Sequence, residues 1–258
     1  FDGVGYGSDG NLWGGEFLVG DWSAFERVAH LEYVPMPGGA AAIRKPYRMA
    51  LGYIYSLLDP ETSLDGLSIM SKIPADEADI VKSQVERRLN SPLTSGVGRL
   101  FDVVSALAGI RVQVDYEAQA AIELEMAAPD DVRHFEPYPF TISEDEKPAV
   151  IKLHDLISAV VNDVKNGIEP SEVSARFHRT MAEMILETCR LISRQSGLKT
   201  VALSGGVFQN RLLFNLAVDA LEKDGFQVLN HRLVPCNDGG IALGQAVIAS
   251  YKANQSKE

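Results

Sequence analysis

The stretch Val201-Ala202-Leu203-Ser204-Gly205-Gly206-Val207-Phe208-Gln209-Asn210 decides how this chain reads, because an apolar strand-type run there meets a glycine pair and then a helix-forming segment. Such a junction can hold a nucleotide: glycine lets backbone N–H groups approach phosphate oxygens, and a following helix N-terminus adds a favourable dipole. Two similar places flank it, Phe1-Asp2-Gly3-Val4-Gly5-Tyr6-Gly7 and Asn237-Asp238-Gly239-Gly240-Ile241-Ala242-Leu243-Gly244. One glycine-rich turn alone is ordinary in an α/β protein; three with acidic or polar neighbours make a nucleotide cleft the working expectation.

Around these loops the pattern alternates. Thr200–Leu203 and Phe226–Leu229 read as strands, and helices are expected after Gly206 and Gly239, so a largely parallel sheet is predicted. Upstream, Asn11–Val19 and His30–Val34 read as strands ended by Pro35-Met36-Pro37-Gly38-Gly39. The 3.6-residue period predicts helices over Arg44–Leu58, Asp76–Leu89, Thr94–Leu107 with a Thr or Ser cap, Glu117–Met126, His154–Asn166 and Ser171–Arg194. Val150–Leu153 reads as a short strand. The Pro-rich, charged run Pro137–Pro148 is the best internal boundary, dividing residues 1–143, a first lobe with a helical insertion, from residues 144–258, a second nucleotide-binding lobe.

Composition narrows the classes. A length of 258 residues with 46% hydrophobic content suits a large core. The net charge of −11 argues against a broad nucleic-acid footprint. Two cysteines, Cys189 and Cys236, argue against a disulfide framework and for a reducing cytoplasm. No signal peptide or uninterrupted membrane-spanning run is read. The opening Phe1-Asp2-Gly3, a strand end without its strand, suggests a chain cut from a longer polypeptide.

The three loops in this order resemble the two-lobed actin, heat-shock chaperone and sugar-kinase nucleotide-binding fold (ASKHA), incomplete at the N-terminus. More narrowly, FDGVGYGSDGNLWGGEFL (1–18), PGGAAAIRKPYRMALGY (37–53), TSGVGRLFDVVSALAGI (94–110), YEAQAAIELE (116–125), VALSGGVFQNRLL (201–213) and CNDGGIALGQAVIA (236–249) resemble the C-terminal, TsaD-like portion of the HypF family. These are carbamoyltransferases of nickel–iron hydrogenase maturation, similar to the metal-binding subunit that makes threonylcarbamoyladenosine in tRNA. The resemblance implies binding of carbamoyl-adenylate, made from carbamoyl phosphate and ATP by a domain elsewhere in the same full-length protein, and release of AMP. The implied partner is HypE, whose C-terminal Cys thiol accepts the carbamoyl group. No nucleic acid or membrane enters this reading.

The family normally carries an HHHAH-type segment shortly before FDG, absent here; His30, His134, His154, His178 and His231 are scattered. The resemblance implies that Asp2 and Asp238 face one cleft as metal ligands at the catalytic centre, where each Asp otherwise only caps a turn. Two carboxylates suit Mg²⁺ bridging nucleotide phosphates (ATP, ADP) better than Fe or Zn, which would need the upstream His pair. By the same resemblance Gly3, Gly5, Ser204, Gly205, Gly206 and Asn210 line the nucleotide, and Asp102 and Glu117 meet its ribose, where periodicity alone makes both solvated helix residues. Arg44 and Arg48, four apart, either clamp a phosphate or form a solvated basic face. Glu16 either acts on substrate or pairs with a cation, and Cys236 reads as a small buried filler. The competing readings are a nucleotide-gated docking module without catalysis, an O-carbamoyltransferase acting on a small-molecule hydroxyl, and a sugar kinase.

Overall fold

A computed structural model describes residues 1–255. The chain begins with short strands β1 (Gly5–Tyr6), β2 (Leu12–Trp13), β3 (Glu16–Gly20), β4 (Phe25–Leu31) and β5 (Val34–Pro35). The expected strand over residues 11–19 is two strands, split at Gly14-Gly15. Helices α1 (Ala40–Arg44) and α2 (Pro46–Leu57) follow where one was expected. Pro46 has no N–H to continue the first helix and disfavours helical backbone at Lys45, yet suits the first position of the second. The expected Arg44/Arg48 pair on one face is thereby broken.

Next come α3 (Glu77–Arg87), β6 (Leu93–Thr94), α4 (Val97–Leu107) and α5 (Gln119–Ala127). The expected side-chain cap on α4 is absent: Gly96 is the cap residue, and Thr94 Oγ1 instead accepts from Gly96 N at 3.0 Å. Ten of the eleven α4 residues are buried, so this is the central helix. Burying a Leu or Phe such as Leu100 or Phe101 contributes about 1.5–3 kcal/mol. The chain continues through β7 (Thr141–Ser143), β8 (Ala149–Lys152), α6 (His154–Lys165) and α7 (Pro170–Ser196), which starts on proline and stops at Gly197 in the left-handed region. It closes with β9 (Thr200–Ala202), α8 (Arg211–Lys223), β10 (Gln227–Leu229) and α9 (Ile241–Gln255).

The expected parallel pairing holds for β9 and β10, in register Val201 to Val228. Elsewhere the sheets are mixed, in orders β1-β2-β6-β5 and β3-β4-β8-β7, because hairpins as well as crossovers connect the strands. The division expected after Ser143 falls in the β7–β8 turn. Since β4 pairs with β8, residues on both sides of it share one sheet. Among the described residues no helix is long and apolar enough to cross a membrane.

Candidate functional site

Three glycine loops meet, the first of them lying 203 residues before the second, from Phe1 to Ser204. The Phe1 carbonyl accepts from Val207 N at 3.2 Å, and the Cys236 carbonyl accepts from Gly205 N at 2.8 Å. Gly205 has φ +105° and ψ 157°, a conformation essentially reserved for glycine. A Cβ there would lie 2.6 Å from the Phe1 carbonyl carbon. At Gly206 a Cβ would stand 3.4 Å from Asp2 Oδ1 and 3.8 Å from Asn237 Cβ. The Asp2 carboxylate, the Gly205-Gly206 backbone and the Asn237-Asp238 turn therefore surround one point.

A fourth segment completes the floor. Asp2 N donates to Gly14 O at 2.8 Å, Gly98 N at the start of α4 donates to Asp2 O at 3.1 Å, and Val97 N donates to Gly14 O at 3.3 Å. Gly3 lies against this helix start, and Gly5 is a ladder position of the β1–β2 hairpin opposite Trp13. Ser204 Oγ lies 3.1 Å from His231 Nε2, a neighbour that no sequence signal indicated.

Several expected ligands have other work. Asn210, expected to bond the nucleotide, is buried; its Oδ1 accepts from Leu213 N at 2.8 Å as the N-cap of α8, and its Nδ2 lies 2.9 Å from His178 Nε2. The Glu125 carboxylate of α5 accepts from Arg211 N and Leu212 N at 2.8 and 3.1 Å. The α8 N-terminus is thus already capped and already faces a negative charge, so the expected dipole contribution to phosphate does not come from it. Anion-holding capacity rests on the loop backbone before it. Glu117 is exposed in the turn before α5.

Asp102 is 2% exposed rather than solvated, and its Oδ2 is 2.9 Å from Arg99 Nη2. Burial raises its carboxyl to about 6, opposed by the Arg99 charge. Arg99 Nη2 lies 3.7 Å from the Cβ position of Gly3, so Asp102 reaches the loop only through Arg99. Arg99 Nε and Nη1, Ser105 Oγ and Tyr53 Oη are buried without hydrogen-bond partners, a polar seam between α4 and α2.

Glu16 pairs with a cation, Arg27, through Oε2, while Oε1 accepts from Gly14 N at 3.1 Å, Gly15 N at 3.2 Å and Ser95 Oγ. It ties the Gly14-Gly15 turn to the segment before α4. Arg27 also stacks over Trp13, 4.2 Å from the ring centroid. Arg48 is buried on Glu77, Gln84 and the Pro37 carbonyl, whereas Arg44 is exposed, so no two-arginine clamp forms. Cys236 is half-buried rather than buried.

The metal expectation does not fit the residues present. Among the described residues no three His, Cys, Asp or Glu side chains are grouped to hold an ion. Asp2 Oδ1 already accepts from Gly3 N at 2.7 Å, and Asp238 is exposed. Two carboxylates, one partly committed, do not make a metal centre.

A family model described as carbamoyltransferase, Kae1-like domain, second subdomain, matches residues 1–245. The chain is 34% identical over 267 residues to the carbamoyltransferase HypF of Synechocystis sp., covering 99% of this chain and 34% of that protein. It is 36% identical over 253 residues to a carbamoyltransferase HypF homolog of Cupriavidus necator, covering 96% and 64%. The crystal structure of full-length HypF in the phosphate- and nucleotide-bound form matches with a TM-score of 0.87 at 42% identity, covering 96% of this chain and 38% of that one. The chain therefore spans between a third and two thirds of the length of these relatives.

Proposed function

The chain belongs to the HypF carbamoyltransferase family, and from that premise we propose that it is the nucleotide-binding transfer module of a carbamoyltransferase. The observation that carries this reading is the convergence of Asp2, Gly205-Gly206 and Asn237-Asp238 around one point. Phosphate oxygens of a bound nucleotide lie on the loop backbone at Gly206, where amide dipoles face them and a side chain would intrude. The nucleotide is carbamoyl-adenylate, supplied from carbamoyl phosphate and ATP by an adenylate-forming domain of the full-length protein. Glu117, exposed ahead of α5, takes the ribose hydroxyls. The setting is the cytoplasm and nickel–iron hydrogenase maturation.

The acceptor is the C-terminal Cys thiolate of HypE, so this chain supplies no nucleophile. The sulfur bonds to the carbamoyl carbon and charge collects on the carbonyl oxygen. The bond from that carbon to the adenylate oxygen then breaks, and AMP leaves with the electron pair. The Gly206 N–H, next to Gly205 and Val207 N–H groups already donated to Cys236 O and Phe1 O, is the preorganised donor that stabilises the developing negative charge, and holding the two reactants together removes much of the entropic barrier. Asp238, on the turn beside Gly206, orients the departing nucleotide.

The test has two arms in the full-length protein: calorimetric titration of ADP and ATP, and carbamoyl transfer to the HypE thiol with Asp238→Ala. Nucleotide binding together with a transfer rate reduced at least tenfold supports the reading. Unchanged transfer by the variant removes Asp238 from the site, and a folded protein that binds no nucleotide overturns the proposal.

A further inference from the structure

His178 lies in the middle of α7, fully buried, between the rings of Phe101 and Phe177 at centroid distances of 5.5 and 6.0 Å. Its Nδ1 is 2.8 Å from the Ser174 carbonyl, which can only accept, so Nδ1 carries the proton. Nε2 then presents a lone pair, and the partner 2.9 Å away is the Asn210 amide nitrogen, which donates. The Asn210 amide is therefore held at both ends: its nitrogen on His178, its oxygen on Leu213 N. Turning it over would place N–H against N–H at Leu213 and oxygen against a lone pair at His178. Burial pushes the His178 imidazole down to about 4, so the neutral form needed for this arrangement is the one present near pH 7.

Asn210 is also the end of the loop that forms the candidate site. Its backbone N–H donates to Val207 O at 3.1 Å, Val207 N–H donates to Phe1 O, and Gly205 N–H donates to Cys236 O. Ser174, on the turn of α7 before His178, donates its hydroxyl to the Leu124 carbonyl, next to the Glu125 that caps Arg211 and Leu212. A fully buried imidazole on one helix thus sits at the junction of α4, α5, α7 and α8, one hydrogen bond away from the loop.

We propose that His178 is a positioning residue for the nucleotide loop: its Nε2 lone pair fixes the Asn210 amide, and through it the placement of Gly205-Gly206 against Asp2 and Cys236. The proposal rests on the nucleotide reading of that loop for its functional consequence, but not for its structural one. The acceptor, rather than the bulk of the ring, is what matters. Replacement by a ring without an acceptor strands the Asn210 N–H, whereas a side chain with an acceptor oxygen at similar reach restores it.

The experiment compares His178→Phe, His178→Gln and Asn210→Ser in the full-length protein by hydrogen–deuterium exchange of peptides covering residues 204–214, with peptides from residues 181–196 of α7 as internal control, and by ADP titration. Asn210→Ser keeps a good helix cap, its hydroxyl oxygen accepting from Leu213 N, while the shorter side chain withdraws the amide nitrogen that reaches His178 Nε2, and it leaves the α7 core untouched should His178→Phe fail to fold. Exchange of the loop peptide rises about tenfold in His178→Phe and in Asn210→Ser, stays within about threefold of wild type in His178→Gln, and the ADP dissociation constants follow the same order. Wild-type loop exchange in Asn210→Ser overturns the proposal. So does equal acceleration in His178→Phe and His178→Gln, since bulk and not the acceptor would then be what the site uses. A wild-type protein that binds no ADP overturns the nucleotide reading, and the exchange ratios still decide the role of His178.

Discussion

Replacing Gly205 and Gly206 by alanine, one at a time, separates the part of the loop that holds the fold from the part that faces the ligand. At position 205 a methyl group forces an L residue into φ +105°, ψ 157°, which costs on the order of 1–3 kcal/mol. It also drives the new carbon to 2.6 Å from the Phe1 carbonyl carbon, and relieving that backbone contact costs about 1–3 kcal/mol more. The sum, about 2–6 kcal/mol, is a large share of the roughly 5–15 kcal/mol that holds a typical domain, and lowers Tm by on the order of 5–20 °C. At position 206 the φ is not left-handed, and the methyl meets Asp2 Oδ1 at 3.4 Å and Asn237 Cβ at 3.8 Å, ordinary contacts. Gly206→Ala therefore unfolds within about 1 kcal/mol of wild type, yet places its methyl where the phosphate lies and weakens ADP binding at least tenfold. Urea denaturation and calorimetry read the two effects separately. Equal stability of the two variants would refute the loop geometry, and wild-type ADP affinity in Gly206→Ala would refute the phosphate position.

Three further outcomes are expected. Asp102 has a folded carboxyl raised to about 6 from an ordinary 3.8 by burial, partly offset by Arg99, so its stabilising contribution is complete below about pH 4 and is lost as the pH rises through 6. That loss is on the order of 2–4 kcal/mol. Asp102→Asn should flatten this segment of a urea stability profile taken from pH 4 to 8, and profiles of equal slope would refute the assignment. Glu16→Gln takes the carboxylate from Arg27 Nε while Asp9 stays 3.2 Å from Nη1, so it lowers the unfolding free energy by about 1–2 kcal/mol, read from the urea midpoint at constant slope; an unmoved midpoint shows that the pair contributes nothing. In thiol labelling at pH 8, half-buried Cys236 reacts and is slowed by saturating ADP. Cys189, buried and pushed up to about 12 by desolvation, reacts only on unfolding; simultaneous labelling of both in the native protein would contradict this placement.

Much of the fold was legible because local rules governed it. The long amphipathic period of α7 and the strand–turn–helix around Gly205-Gly206 reappear at nearly the expected bounds. The errors have local causes too. Pro46 falls inside the single helix expected over residues 44–58 yet starts a second one, and in place of the Thr or Ser cap expected for α4, Gly96 is the cap residue and Thr94 closes a turn onto it. The parallel-sheet expectation extended beyond β9 and β10 because a strand's partners depend on hairpins and crossovers that its own residues do not encode.

The candidate site divides along the same line. By itself the sequence determined the family resemblance, the three glycine loops and the acidic residues within them, because close backbone approach requires glycine at particular positions. Only the tertiary structure decided which polar atoms remain available. Asn210 is spent on Leu213 and on His178, 32 positions away; Asp102 is spent on Arg99; Glu125 reaches the α8 N-terminus, 86 positions along the chain. A side chain's hydrogen-bonding capacity is set by its type, but its partner is set by which helices pack together, and that packing is a property of the whole core.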